Sequence, residues 1–343
     1  MTKKRALITG ISGQDGAYLA KLLLKKGYSV VGGERQNASG SDWRLKELGI
    51  ENKVNIVPFE LLEENNIIDV IRTRKFDEIY NLAAQSFVGN SYSSPTFTSN
   101  VNALGVTRIL EAIRHFSKKT KFYQASTSEM YGNSLSIRQN ESTPLQPVSP
   151  YAISKLYAHW MVNMYRDAYG IFCCSGILFN HESPLRGEEF ITRKISLGLA
   201  KIIAGKQKVL KLGNIYSKRD WGYAKDYIEV MWKMLQIKKP QDFVIATGKT
   251  YSVKEFINKI VKILNLKTKW TGKGINEKLI DLDRKKPIII IDKKYFRPAE
   301  VNSLKGNYTK AKKILKWSPK TNIDNLAKIM LKSDLLYINK DKY

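Results

Sequence analysis

Arg5-Ala-Leu-Ile-Thr-Gly10-Ile-Ser-Gly13-Gln-Asp-Gly16 is the stretch on which the fold turns. Its first five residues, with the apolar run Ala6 to Ile8, read as a strand, and residues 14–26 read as the helix that follows. Glycines between them permit a tight turn. They also let a pyrophosphate approach the backbone at the helix N-terminus, where N–H groups and the helix dipole favour an anion. A glycine motif alone is a weak sign, and an ordinary strand-to-helix turn has similar residues. Its place at the end of an N-terminal strand favours a dinucleotide site.

Outward from that turn, apolar strands and amphipathic helices alternate. Residues 29–33, 54–59, 78–81 and 121–125 read as strands, with helices near 62–73 and 98–116. A long helix starts at Ser149-Pro150, where serine suits the N-cap and proline the first turn, and the strand 172–179 follows. This alternation predicts an α/β protein: a Rossmann-type doubly wound parallel sheet covered on both faces. From about Asn180 the texture changes. Irregular segments at 181–188, 212–221 and 295–301 are interleaved with helices near 192–204, 225–237 and 253–264. We therefore expect a dinucleotide-binding domain with the catalytic residues at 1–180. Residues 181–343 should form mainly a smaller C-terminal substrate-binding lobe, with some segments returning to the first domain.

A chain of 343 residues can bury one large core or two modest ones. The apolar run before Gly10 is too short for a signal peptide, and no stretch approaches a membrane span, so the expectation is a cytoplasmic protein without membrane contact. Cys173 and Cys174 are neighbours in an apolar strand and would point to opposite faces, which predicts core packing and neither a disulfide nor a metal site. The chain carries 58 basic and 31 acidic side chains, a net +27. Its lysines are scattered rather than gathered with aromatics on one face, so attraction of anionic small molecules is preferred to nucleic-acid binding.

Two further stretches carry chemistry. Tyr151-Ala-Ile-Ser-Lys155 places a phenol and an ammonium one helical turn apart, and a nearby cation favours the phenolate, a usable base. Tyr308 and Lys312 share that spacing but read as a surface helix; the first pair differs by following the fifth strand and opening a helix. Ala125-Ser-Thr127-Ser-Glu129-Met-Tyr-Gly132 lies at a strand's C-terminal end, where a doubly wound sheet meets its ligand, although hydroxyls and one carboxylate there also suit a plain helix cap.

Together with Asn81-Leu-Ala-Ala-Gln85-Ser86, Phe179-Asn-His-Glu-Ser-Pro184, Arg219-Asp-Trp-Gly222 and Phe296-Arg-Pro-Ala-Glu-Val301, these motifs resemble, in order and over nearly the whole chain, the GDP-mannose 4,6-dehydratases of the extended short-chain dehydrogenase/reductase superfamily. The resemblance implies a catalytic trio of Thr127, Glu129 and Tyr151, with Lys155 supporting the tyrosine. It implies cofactor contacts at Gly10, Gly13, Gln14, Asp15 and Gly16, at Arg35, Glu60 and Leu61, at Leu82, Ala83, Ala84 and Ser86, and at Lys155, His181 and Arg186. Substrate contacts fall on Ser86, Asn180, Lys194, Arg219, Arg297 and Glu300. Independently, a clamp of Lys and Arg is what a diphosphate needs.

The implied reaction oxidises C4 of the sugar, which acidifies C5, eliminates water across C5 and C6, and leaves a 4-keto-6-deoxy sugar. A sugar-nucleotide 4-epimerase or C4-dehydrogenase has no elimination to perform and no need for Glu129. GDP-manno-heptose meets the same chemical requirements as GDP-mannose and is the alternative substrate. The cofactor stretch departs from the family's paired arginines: Glu34 stands where an NAD-type acid would, Arg35 fits NADP, and Gln36 replaces the second arginine. NADP is favoured, with NAD possible. Phe87 and Leu185 stand where some family members carry histidine and arginine, and they bear on the sugar pocket. The resemblance also implies a homodimer or homotetramer, with the loop 35–43 near a neighbouring subunit.

Overall fold

Strands β1 (Arg5–Thr9), β2 (Ser29–Glu34), β3 (Asn55–Pro58), β4 (Glu78–Asn81), β5 (Lys121–Thr127) and β6 (Cys173–Leu178) form one sheet with a late strand, Phe243–Ile245. The order runs from Phe243–Ile245 through β6, β5, β4, β1 and β2 to β3, and every pairing is parallel. The computed structural model describes residues 3–35, 42–296, 299, 301 and 303–340. The expected substrate residues Arg297 and Glu300, and most of the loop 35–43, lie outside the described residues.

All of β4 and β6 is buried, because helices cover both faces and leave no wet side for polar alternation. On one face Leu7, Ile79, Phe122 and Cys173 pack with the helices Glu64–Arg74, Gly105–Phe116 and Pro150–Tyr169. On the other, Ala6, Ile8, Tyr80, Tyr123 and Cys174 pack with Gln14–Lys25 and Ala224–Met234. Both cysteines are buried free thiols on opposite faces. The order reverses around β1, whose neighbours are β2 and β4, so the crevice for a ligand opens at the C-terminal ends of these strands.

A second core holds Leu199, Phe256, Ile260, Leu279, Ile289 and Met330. It lies between a four-stranded sheet (Thr268–Thr271, Lys278–Asp281, Lys286–Ile291, Leu210–Leu212) and the helices Ile191–Ile203, Val253–Ile263 and Ile323–Lys340. Two short pairings complete the architecture: His181–Glu182 with Gly222–Tyr223, and Lys218–Arg219 between Tyr251–Ser252 and Ser303–Leu304.

Two expectations need correction. The strand expected to end at 125 runs on to Thr127, because Ser126 and Thr127 keep pairing with Ile177 and Leu178. The helix expected over 98–116 is interrupted by a π-helical turn, Asn100–Leu104. That wider turn accompanies a second task for buried Asn102, whose amide accepts from Gln85 N and donates to Gln85 O and Ser154 Oγ at 2.9–3.3 Å.

Candidate active site

The glycine turn is shaped by close approach. Gly10 has φ +68°, and a Cβ there would stand 2.9 Å from Ala83 N and Cα. A Cβ on Gly16 would stand 2.3 Å from the Gly10 carbonyl oxygen. Gly13 is the N-cap of Gln14–Lys25 with no side-chain cap, so the helix's first N–H groups have no side-chain acceptor there. Open backbone at an uncapped helix N-terminus suits a diphosphate, and this cradle fits a dinucleotide.

The side chains of that turn partly serve the protein itself. Asp15 Oδ2 meets His181 Nε2 at 2.7 Å, and the His181 ring stacks on Tyr227 with centroids 4.7 Å apart. Burial disfavours both charges, but each supports the other: Asp15 is held below the usual carboxylate range, and His181 stays above the ordinary imidazole value. Gln14 donates to the His181 carbonyl at 3.1 Å and accepts from Ser183 Oγ at 2.7 Å. Arg44 donates from Nε to Leu185 O at 2.7 Å and from Nη1 to Ser12 O at 3.0 Å. The turn is thus tied to segment 181–185 from two sides.

Leu82 and Ala83 donate their N–H groups to Thr9 Oγ1 at 3.2 and 3.1 Å, which fixes the backbone that passes Gly10. Ala84 and exposed Ser86 follow along the crevice. Glu34 ends β2, exposed Arg35 follows it, and Glu60 and buried Leu61 follow β3. All of these lie at the C-terminal side of the sheet.

Thr127 is the last residue of β5 and caps the short 3-10 turn Ser128–Tyr131, its Oγ1 accepting from Glu129 N at 3.2 Å. The long helix Pro150–Tyr169 begins as its sequence predicts, with Ser149 Oγ accepting from Ala152 N at 3.1 Å. That start projects Tyr151 and Lys155 toward the end of β5. The Tyr151 phenol lies close enough to the Thr127 hydroxyl to be influenced by it, and Lys155 Nζ donates to the Ala125 carbonyl at 3.0 Å. Burial pushes the Tyr151 phenol up to about 12, partly offset by the nearby Thr127 hydroxyl; burial alone brings Lys155 down to about 8. Thr127, Glu129, Tyr151 and Lys155 are each less than a tenth exposed.

Buried Arg219 comes from the short strand Lys218–Arg219, with Nε 3.8 Å from Glu129 Oε1 and Nη1 donating to Val301 O at 2.7 Å. The resemblance implies a substrate contact for this arginine; the structure also sets it against the candidate base. Arg186 pairs with Glu182 at 3.2 Å and lies 3.6 Å over the Phe190 ring, whose centroid is 5.8 Å from that of Phe87. Phe190 was not singled out from the sequence, since one aromatic before a helix carries no signal. Asn180 accepts from Gly222 N at 2.8 Å. Lys194 sits in the first turn of Ile191–Ile203 with its ammonium 3.5 Å from the Tyr295 ring centre. Among the described residues no cluster of metal-ligating side chains occurs, and no helix is long and apolar enough to cross a membrane.

Comparison with known proteins places nearly the whole chain in one family. The family described as GDP-mannose 4,6 dehydratase matches residues 7–330. A GDP-mannose 4,6-dehydratase of Vibrio cholerae is 47% identical over 352 residues, covering 98% of this chain and 94% of that one. Among solved structures, the dTDP-glucose 4,6-dehydratase of Bacillus anthracis, in complex with NAD, superposes with a TM-score of 0.79 at 21% identity, over 99% of this chain and 98% of that chain. RMD from Pseudomonas aeruginosa, complexed with NADPH, gives 0.77 at 20% identity, over 98% and 100%. At such identities these two likenesses speak for the fold.

Proposed function

The chain belongs to the GDP-mannose 4,6-dehydratase family, and on that premise we propose that it converts GDP-mannose to GDP-4-keto-6-deoxymannose with a nicotinamide cofactor held at the glycine turn. One observation carries the reading: Glu129, a second acid–base group, stands beside Thr127 and Arg219 in the same buried site as Tyr151. C4 oxidation alone needs one base; elimination needs another.

When bound, an oxidised nicotinamide supplies the redox chemistry, taking hydrogen with its electron pair from C4 and giving it back at C6. The chain's own groups move the protons. Tyr151, as phenolate, takes the O4 proton as C4 becomes a ketone. Lys155 holds positive charge one helical turn away and favours that phenolate. The new ketone lets charge left at C5 delocalise, so Glu129 can remove the C5 proton. Protonated Glu129 then gives that proton to O6, directly or relayed through the Thr127 hydroxyl, and water departs. The O4 proton is the one left over; returning it to C5 completes the product and restores Tyr151 as a base. Product mass tests this: GDP-mannose should leave one water lighter, and an unchanged mass would move the function to epimerisation or dehydrogenation. GDP-manno-heptose, run beside it, identifies the preferred sugar by relative rate.

For the finer assignments we favour NADP, on Arg35 immediately after β2, against NAD on Glu34. The nicotinamide that co-purifies with the protein, or that restores activity after removal, decides between them. Residues 1–180 would serve mainly the cofactor and 181–343 mainly the GDP-sugar, with Ala224–Met234 and Phe243–Ile245 returning to the cofactor half, where their side chains pack. Cys173 and Cys174 as free thiols suit a cytoplasmic site of action.

The same reading includes a homodimer. On the helix Pro150–Tyr169, Ile153, Tyr157, Trp160 and Met164 are exposed by 55%, 41%, 58% and 39% and recur at helical spacing as one apolar stripe. A second copy placing the same stripe against it would bury both. Light scattering should show a dimer that the double substitution Ile153→Glu and Trp160→Glu converts to monomer; a dimer indifferent to both changes would place the interface elsewhere.

A further inference from the structure

A row of polar side chains crosses the interior of the sheet directly under the cofactor crevice. In register, Leu7, Ile79, Phe122 and Cys173 form an apolar row across β1, β4, β5 and β6. Two residues on, and so on the same face, stand Thr9, Asn81, Gln124 and Ser175. Thr9, Asn81 and Gln124 are at most 1% exposed. Polar groups this deep are costly unless fully paired, and a face devoted to packing would have continued apolar to the strand ends.

These groups are paired in one direction. The N–H groups of Leu82 and Ala83 donate to Thr9 Oγ1. Thr9 Oγ1 donates to Asn81 Oδ1 at 2.6 Å, and Asn81 Nδ2 donates to Gln124 Oε1 at 2.8 Å. The Gln124 amide then turns out of the row and donates from Nε2 to the Ala125 carbonyl at 3.0 Å. Ser175, next in register, has a buried hydroxyl with no partner among the described residues, so the chain of bonds leaves the row at Gln124. The Ala125 carbonyl also accepts from Lys155 Nζ at 3.0 Å.

We propose that Gln124, oriented by Asn81 and Thr9, is a positioning residue for Lys155: by sharing the Ala125 carbonyl with the Lys155 ammonium, its amide fixes where that ammonium stands relative to Tyr151. The proposal rests on the roles given above to Tyr151 and Lys155. The Gln124 amide fixes the orientation of the peptide that Lys155 grips, and the amide's own orientation is set by Asn81, whose Nδ2 can be met only by the Gln124 oxygen. The chain begins at the backbone of Leu82 and Ala83, so the lysine and one wall of the cofactor crevice are held by one continuous set of bonds. A displaced ammonium would support the phenolate less, raise the pH at which Tyr151 can act as a base, and leave GDP-sugar binding nearly unchanged.

The test is Gln124→Met, close in length and without polar atoms, with kcat and KM measured across pH beside wild type and Lys155→Met. We expect kcat to fall about tenfold or more. The acid limb of the kcat profile should move up by about one pH unit, in the same direction as in Lys155→Met. KM for the GDP-sugar should stay within about twofold. A wild-type kcat and pH profile with only a lower melting temperature would overturn the proposal and leave Gln124 a structural residue. So would a fall in kcat with the acid limb in place. If Gln124→Met does not fold, Thr9→Val, which removes one hydroxyl at nearly constant volume, is read by the same two outcomes. Lys155→Met separates the levels: if it works at the wild-type rate, the role given to Lys155 fails, whereas if it is impaired and Gln124→Met is not, this inference alone fails.

Discussion

Glu129→Gln is expected to stop the loss of water while leaving C4 oxidation in place. Glutamine keeps the shape of the side chain, and its amide oxygen can still face Arg219, whose Nε lies 3.8 Å from Glu129 Oε1. What disappears is the proposed proton acceptor for C5. Removing a positioned general base costs roughly 10² to 10⁴ in rate, and in the proposed mechanism the same carboxyl also donates a proton to the departing O6, so the upper part of that range is expected. The variant should accumulate a 4-keto sugar that has kept its C6 hydroxyl, about one equivalent per site, visible as reduced-nicotinamide absorbance and as a product two hydrogens lighter than the substrate. Water loss at a rate comparable to wild type would remove Glu129 from the role.

Tyr151→Phe should block the reaction one step earlier. The phenol is buried near the Glu129 carboxylate, and burial first, with that negative charge, leaves it a poor base, pushed up to about 12. The charge of Lys155 must work against that. Lys155 itself is brought down to about 8, so above that pH it sheds its proton and its support for the phenolate fades. Activity is therefore bounded on the acid side by the need to deprotonate Tyr151 and on the alkaline side by the loss of the Lys155 charge. Phenylalanine fills the same space and forfeits at most one hydrogen bond, worth about 1 kcal/mol, so the fold should survive. Neither a 4-keto sugar nor water loss should be seen, with a fall of roughly 10³ to 10⁴ in rate. The contrast is diagnostic: Glu129→Gln stops after C4 oxidation, Tyr151→Phe before it. If both variants stopped at the same point, two separate acid–base roles would be untenable.

Much of this arrangement is legible in the sequence because it depends on local rules. A strand, a glycine turn and a helix follow one another within residues 5–25, and Ser149-Pro150 marks a helix start that the structure reproduces. Parallel strands buried on both faces appear as short apolar runs, so β1 and β6 stand out. What the sequence conceals depends on pairing across the chain. The extension of β5 to Thr127 exists because β6 offers partners for it, and no property of Ser126 or Thr127 announces that. Gln124 and Asn81 each look like a stray polar residue at a strand end; only the register of β4 against β5 makes them a pair. The π-helical turn is equally hidden, since the partners of Asn102, Gln85 and Ser154, lie on other segments. Arg219 was expected as a substrate contact, and nothing in its own segment could place it against Glu129. Long-range ties of this kind, such as buried Arg193 meeting Asp334 at 2.7 Å between two lobe helices, are set by topology rather than by local pattern.

In the proposed reaction one site oxidises C4, eliminates water and completes the sugar at C6 without releasing it. GDP-mannose carrying deuterium at C4 tests it most directly. The product should be one water lighter with the deuterium retained and located at C6, in the same molecule from which it left C4. A product that had lost water with no deuterium at C6, or one that returned deuterium to C4 with no water lost, would contradict it.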